Sequence, residues 1–256
     1  MQFTHPGAPP LARRLAGAVL SLLAVAALAA AFSGGAARAA TASSAITVRV
    51  EGPKSTLLAA TAVTLSAGNF TKNGVAADSC PGTSAGGALQ VATHGDWAGT
   101  WSASYRSYFL TGIDGVSYPA SGAEYWAFWV NDAPSASGIC SYHPRAGDSL
   151  LFFPDCYGKT CPKNAGVLGV KAPSVVAAGK PFTVFVTAYS DAKGTPSHAA
   201  GATVRAGSVA VRTGAAGAAT LTLTHTGQVT LAVSEPDAVR TEASVCVATG
   251  TAKSCS

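Results

Sequence analysis

The chain has 256 residues, 48% of them apolar and 11% charged, with a formal net charge of +5. The first 39 residues hold three basic residues and no acidic one, so a chain cut after Ala39 has 217 residues and a charge of +2. No basic stripe remains, which excludes the electrostatic footprint of a nucleic-acid binder, and the remaining length suits one or two domains.

In chain order, a leader comes first. Arg13 and Arg14 precede an apolar run from Leu15 to Phe32, and Ala37-Arg38-Ala39 follows a Ser-Gly-Gly break. Charged, apolar, then small is the order of a secretory signal peptide, here 1–39, with 40–45 as a short linker. The run reaches spanning length, but it is alanine-rich and a cleavage signature follows it. The paired arginines fit a twin-arginine signal poorly, and no cysteine stands at the cut to carry a lipid. No second apolar run of that length follows. The mature chain is therefore expected outside the cell, secreted or held non-covalently at the cell surface, with no membrane span.

Next, ITVRVEGP (46–53) alternates. Ile46, Val48 and Val50 are expected inward, and Thr47, Arg49 and Glu51 toward water, as in a half-buried strand. TLLAATAVTL (56–65) is a second strand. CPGTSAGGALQVATHG (80–95) reads as a short helix with Thr83 or Ser84 as its cap, an apolar stripe of Ala88, Leu89 and Ala92, and Gly95 at its end. The tract from Gly95 to Ser107 is expected as loop. SYFLTGIDGVSY, YWAFWVND and SLLFFPD are three further strands, and CPKNAG (161–166) is the turn-rich seam between two halves. Beyond it, FTVFVTAYS, ATLTLTH and QVTLAVSE alternate cleanly, with Leu221 and Leu223, then Val229, Leu231 and Val233, on single faces. Short strands at such spacing are the signature of a β-sandwich.

Six cysteines stand at 80, 140, 156, 161, 246 and 255. An even count in an exported chain favours disulfides. Cys156–Cys161 and Cys246–Cys255 enclose short loops, which leaves Cys80–Cys140 by elimination. No C-x-x-C occurs and the mature histidines (His94, His143, His198, His225) fall at unrelated spacings, so no metal site is expected.

Tyr125-Trp126-Ala127-Phe128-Trp129 poses the main question. Side chains of a strand alternate between faces, so Trp126, Phe128 and Val130 share one face and Tyr125, Ala127 and Trp129 the other. Both faces are apolar. A short helix covers one. The other is left to the 95–107 tract with Trp97, Trp101 and Tyr105, to the second half, or to a ligand.

The ordered set Tyr125-Trp126, Gly138-Ile139, Tyr142, Pro144 and Gly147 precedes an apolar strand. Together with the TVRVEG opening, Thr83, Ala88 and Leu89, and Ile113-Asp114-Gly115, it resembles the C-terminal domain of transcobalamin and intrinsic factor. It is also similar to a related bacterial domain family of unknown function. The resemblance covers about 46–155. It implies a β-grasp fold and, from the vertebrate members, one wall of a corrinoid site, which those proteins close with a large helical domain absent from these residues. Around AGKPFTV and TGAAGAATLTL the second half resembles bacterial immunoglobulin-like modules. The fold class expected is mostly β: an α+β first domain over 46–163, a β-grasp-like mixed sheet with one short helix, then an immunoglobulin-like β-sandwich over 164–256.

Three short motifs are decoys. Gly147-Asp148-Ser149-Leu150 spells an esterase motif, but Ser149 begins an apolar strand and the chain has no Asp-x-x-His. Gly158-Lys159-Thr160 lacks the upstream glycine of a phosphate loop, since position 153 is Phe. Asn69-Phe70-Thr71 fits a glycosylation acceptor of a kind common by chance. The expectation is a secreted, non-catalytic protein with no cofactor that binds a small organic molecule or an extracellular protein. Trp101, Trp126, Trp129 and Tyr142 are its candidate site. The rival reading is a structural or adhesive surface protein.

Overall fold

The computed structural model describes residues 45–119, 121–158, 161, 166–190, 193–250 and 255. The leader, the linker up to residue 44, Lys159-Thr160 and residues 162–165 of the seam lie outside the described residues. Thr41–Ser256 forms one compact unit. Among the described residues no helix is long and apolar enough to cross a membrane.

The first half contains β1 (Ile46–Glu51), β2 (Thr56–Val63), β3 (Asn69–Phe70), β4 (Cys80–Pro81), α1 (Ala85–Ala92) and β5 (Trp97–Ser102). Then come β6 (Ser107–Ile113), β7 (Val116–Ser117), β8 (Glu124–Val130), β9 (Ala133–Pro134) and β10 (Ser149–Cys156). Five of these make a mixed sheet in the order β2-β1-β10-β8-β9, with β1 and β10 parallel. β5, β6 and β7 form a separate antiparallel sheet. The tract after Gly95 is therefore a strand and not the expected loop. Trp97 and Trp101 alternate with small residues along β5 and pack edge-on against Tyr108 of β6.

The second half contains β11 (Gly166–Lys171), β12 (Val175–Ala177), β13 (Pro181–Tyr189), β14 (Pro196–His198) and β15 (Thr203–Ala206). It ends with β16 (Val209–Arg212), β17 (Ala218–Thr222), β18 (Gly227–Ser234), β19 (Ala238–Val239) and β20 (Thr241–Ala248). One sheet runs β14-β13-β11-β19 with β17 also on β13; the other runs β12-β20-β18-β15-β16. Leu168, Val184 and Leu221 of the first meet Val204, Leu231 and Val245 of the second in one core. Of the residues expected to face inward by alternation, Leu221, Leu223, Leu231 and Val233 are buried, and Val229 is half-buried against the same core.

α1 starts at Ser84, whose hydroxyl accepts the Gly87 N–H at 3.2 Å. Its Ala88, Leu89 and Ala92 are buried, as the stripe required. Small residues are needed here for a second reason. A Cβ at Gly86 would come within 2.7 Å of Cys80 Sγ, so the helix can lie on the Cys80–Cys140 bridge only without a side chain at that position.

The aromatic question resolves into two cores. Trp126 and Phe128 share the helix side with Leu150 and Phe152, and Phe128 stacks on Phe152 with ring centroids 5.0 Å apart. Ala127, Leu151 and Phe153, with Trp129 beside them, are covered by Val167 and Val239 of the second half. Arg49 and Glu51, expected toward water, belong to this covered face. Glu51 is 2% exposed and ion-paired with Arg49 at 3.2 Å and with Arg240 at 3.7 Å. Arg49 also donates to the Arg240 carbonyl at 2.7 Å, and Arg240 reaches the Gly52 and Pro53 carbonyls at 3.3 Å. Strand alternation assigned these residues to one face correctly. What the alternation could not show is that the second half closes that face.

All three expected disulfides are formed. The Cys80–Cys140 bridge spans 60 residues, and closing a loop of that length in the unfolded chain is worth about 4 kcal/mol. The double substitution Cys80→Ala with Cys140→Ala should lower the unfolding free energy by roughly that amount, read from denaturant unfolding of the oxidised chain.

Candidate functional site

With both faces of the β8–β10 pair covered, an open apolar surface lies at its edge. β8 is paired with β10 along one side; on its other side β9 offers only two residues. The turn Asn131-Asp132, both with positive φ, folds β9 back, and Pro134, which has no N–H to continue a ladder, ends it. β6 has the same shape. It pairs with β5 along one side, and β7 covers only its last two residues before the chain leaves at Tyr118-Pro119. The bare edges of β6 and β8 face each other across a groove of about 480 Å³.

Consecutive residues line it, Tyr108 to Leu110 on β6 and Tyr125 to Trp129 on β8, as an edge presents them and a face does not. Ser135 to Ile139 form a third wall. The Ser135 N–H donates to the Phe128 carbonyl at 3.1 Å, and the Cys140 N–H to Ser107 Oγ at 3.2 Å, which fixes that wall at both ends. Outside the groove lining, the Tyr118 N–H donates to the Thr111 carbonyl and the Tyr118 ring meets Trp126 at 5.9 Å.

No charged side chain lines the groove. Tyr125 stays neutral as well: burial first, then the charge and hydrogen bond of Asp155, push its phenol up to about 12. Its hydroxyl donates to Asp155 Oδ2 at 3.0 Å. Tyr105 and Phe109 stand exposed on the rim, edge to face at 5.5 Å.

Of the four residues expected to form a site, Trp126 and Trp129 line this groove. Trp101 does not. It sits on β5, across β6 from the groove, against Tyr108. Tyr142 does not either. Its hydroxyl donates to Asp148 Oδ2 at 2.8 Å, and its ring packs on Phe128 in the helix-side core. Tyr105, Phe109 and Tyr125 were missed. The signal for them was available in Pro119 and Pro134, which cut short the strands that would have covered these edges.

The Gly147-Asp148-Ser149 stretch is a brace. Asp148 accepts from Tyr142 Oη, from Asn131 Nδ2 at 2.9 Å and from the Arg145 N–H at 2.8 Å, while Ser149 opens β10 with its N–H on Asn131 Oδ1. Burial raises the Asp148 carboxyl, but these hydrogen bonds and the Arg145 charge outweigh it and hold it below the usual range. A larger cleft of about 550 Å³ runs along the seam of the two halves past Glu51, Asp155, Glu235 and Asp237. Arg240 spans it, bound to Glu51 and the Gly52 carbonyl. No group of three or more His, Cys, Asp and Glu among the described residues is placed to hold a metal ion.

A family model described as Domain of unknown function (DUF4430) matches residues 92–153, about a quarter of the chain. The matched span runs from the end of α1 into β10 and so contains every residue that lines the groove. No curated protein and no solved structure matches the chain.

The brace makes a prediction about Tyr142 and Asp148. Asp148→Asn should cost about 2 kcal/mol at neutral pH. The folded-state pKa is lowered, so the contribution is present above the unfolded carboxylate value near ~4 and is lost as pH falls through the folded one. The gap between wild type and variant should therefore close on acidification below about pH 4, measured by urea unfolding across pH.

Proposed function

We propose that the chain is an exported, non-catalytic binding protein whose groove between β6 and β8 takes a small, uncharged organic molecule. One observation carries this. Six large apolar residues are exposed among the described residues, and three of them, Tyr105, Phe109 and Tyr125, gather on the walls of one groove that has no charged lining. Apolar concavities with few polar groups suit organic ligands, and an exposed cluster of this kind marks a contact site. The three disulfides support export.

In this reading the first half is a β-grasp domain of the transcobalamin C-terminal kind and the second an immunoglobulin-like module. The parallel β1–β10 pair beside α1, and the two sheets over one core, support those assignments. A corrinoid is the ligand that the resemblance suggests. The second reading, a structural or adhesive protein, is favoured by the way the second half closes the Trp129–Phe153 face.

The test is the mass of the protein taken from its own culture medium, native and then denatured without reduction. A native mass excess that disappears on denaturation is expected, and Tyr105→Ala with Phe109→Ala should reduce the loaded fraction at least about tenfold. Equal native and denatured masses would favour the structural reading.

A further inference from the structure

The groove is bounded by strand edges, and a strand edge is defined by its main chain. Hydrogen-bonding direction alternates along an antiparallel strand. The Asn131 N–H donates to the Ser149 carbonyl and the Tyr157 N–H to the Ala123 carbonyl, so odd-numbered positions of β8 point to β10. Even-numbered positions point into the groove. Phe128 confirms the direction, because its carbonyl accepts the Ser135 N–H from that side. The Phe128 N–H and both main-chain groups of Trp126 are thus turned to the groove with no partner among the described residues. Trp126 also carries a buried indole N–H without a partner. The opposite wall, Tyr108 to Leu110 of β6, has no strand on its outer side.

Resting on the binding reading above, we infer that the ligand is peptidic: an uncharged, extended segment of about four or five residues that adds to β8 as a strand. Three features support that chemistry. Main-chain N–H and C=O groups at strand spacing are matched by another main chain. The Glu124–Phe128 stretch is long enough for such a segment at about 3.4 Å per residue. The uncharged walls disfavour charged side chains, whereas Phe109 and Tyr125 offer ring faces to apolar ones.

The probe is acetyl-Val-Thr-Val-Tyr-amide, titrated against the full mature chain while amide hydrogen exchange is followed by NMR. Saturation should slow exchange at the Trp126 and Phe128 amides at least about tenfold. A version methylated on every backbone nitrogen should bind at least about tenfold more weakly. Equal binding of the methylated peptide, or unchanged exchange at those two amides, overturns strand addition. The uncharged dye Nile red separates the two claims. If it binds in a manner lost with Phe109→Ala while the peptide does not bind, the groove reading stands and the peptide inference falls. If neither binds, both fall.

Discussion

A strand pair that is apolar on both faces has to be covered twice. β8 and β10 place Phe128 and Phe152 on one side and Ala127, Trp129, Leu151 and Phe153 on the other. Neither side can be left to water without exposing several large side chains, each worth about 1.5–3 kcal/mol when buried. The helix supplies one cover, its small Ala88 and Ala92 and its Leu89 packing in one core with the large residues of the sheet. The second half supplies the other through Val167 and Val239. The two halves are joined because the sheet between them requires it.

That requirement also explains a buried ionic cluster at the seam. Glu51 and Arg49 follow the alternation of β1 onto the face that the second half covers. Burying a charge is tolerable only when it is paired and hydrogen-bonded. Glu51 has Arg49, Arg240 and the Thr56 hydroxyl, and Arg49 has the Arg240 carbonyl. Burial still raises the Glu51 carboxyl against the pull of both arginines. The cluster fits a contact whose two sides are built for each other: Arg240 is anchored to main-chain carbonyls of the β1–β2 turn, which a different neighbour would not present in the same place.

Much of this could be read in the sequence wherever a pattern is local. Ser84 capping α1, the small stripe of Ala88, Leu89 and Ala92, the three disulfides and the alternation of the second half all depend on residues close in the chain or on simple elimination. The failures are long-range. Arg49 and Glu51 look like the wet face of a half-buried strand, because nothing near them in sequence reveals Arg240. The 96–106 tract looks like a loop because Gly99 and a run of serines and threonines interrupt its pattern; pairing with β6 makes it a strand. Trp101 and Tyr142 stand out in the sequence on aromatic content alone. One is spent on Tyr108 and the other on Asp148.

With both faces of the β8–β10 pair covered, the aromatic surface left open lies at the edge of β8. An edge has a different chemistry. Its specificity comes from directional main-chain groups at a fixed spacing, with side chains acting as walls. Natural strands at sheet margins are usually blunted by charges, prolines or a covering element. Here the prolines sit on the two neighbours, Pro119 after β7 and Pro134 in β9, where they keep those neighbours short and leave β6 and β8 bare. The remaining edge is protected against casual pairing by position: two edges face each other in a groove about 480 Å³ in size, with the Ser135–Ile139 segment as its third wall. A second folded sheet is too thick for a space of that size, and that geometric restriction protects the bare edges from pairing with another sheet.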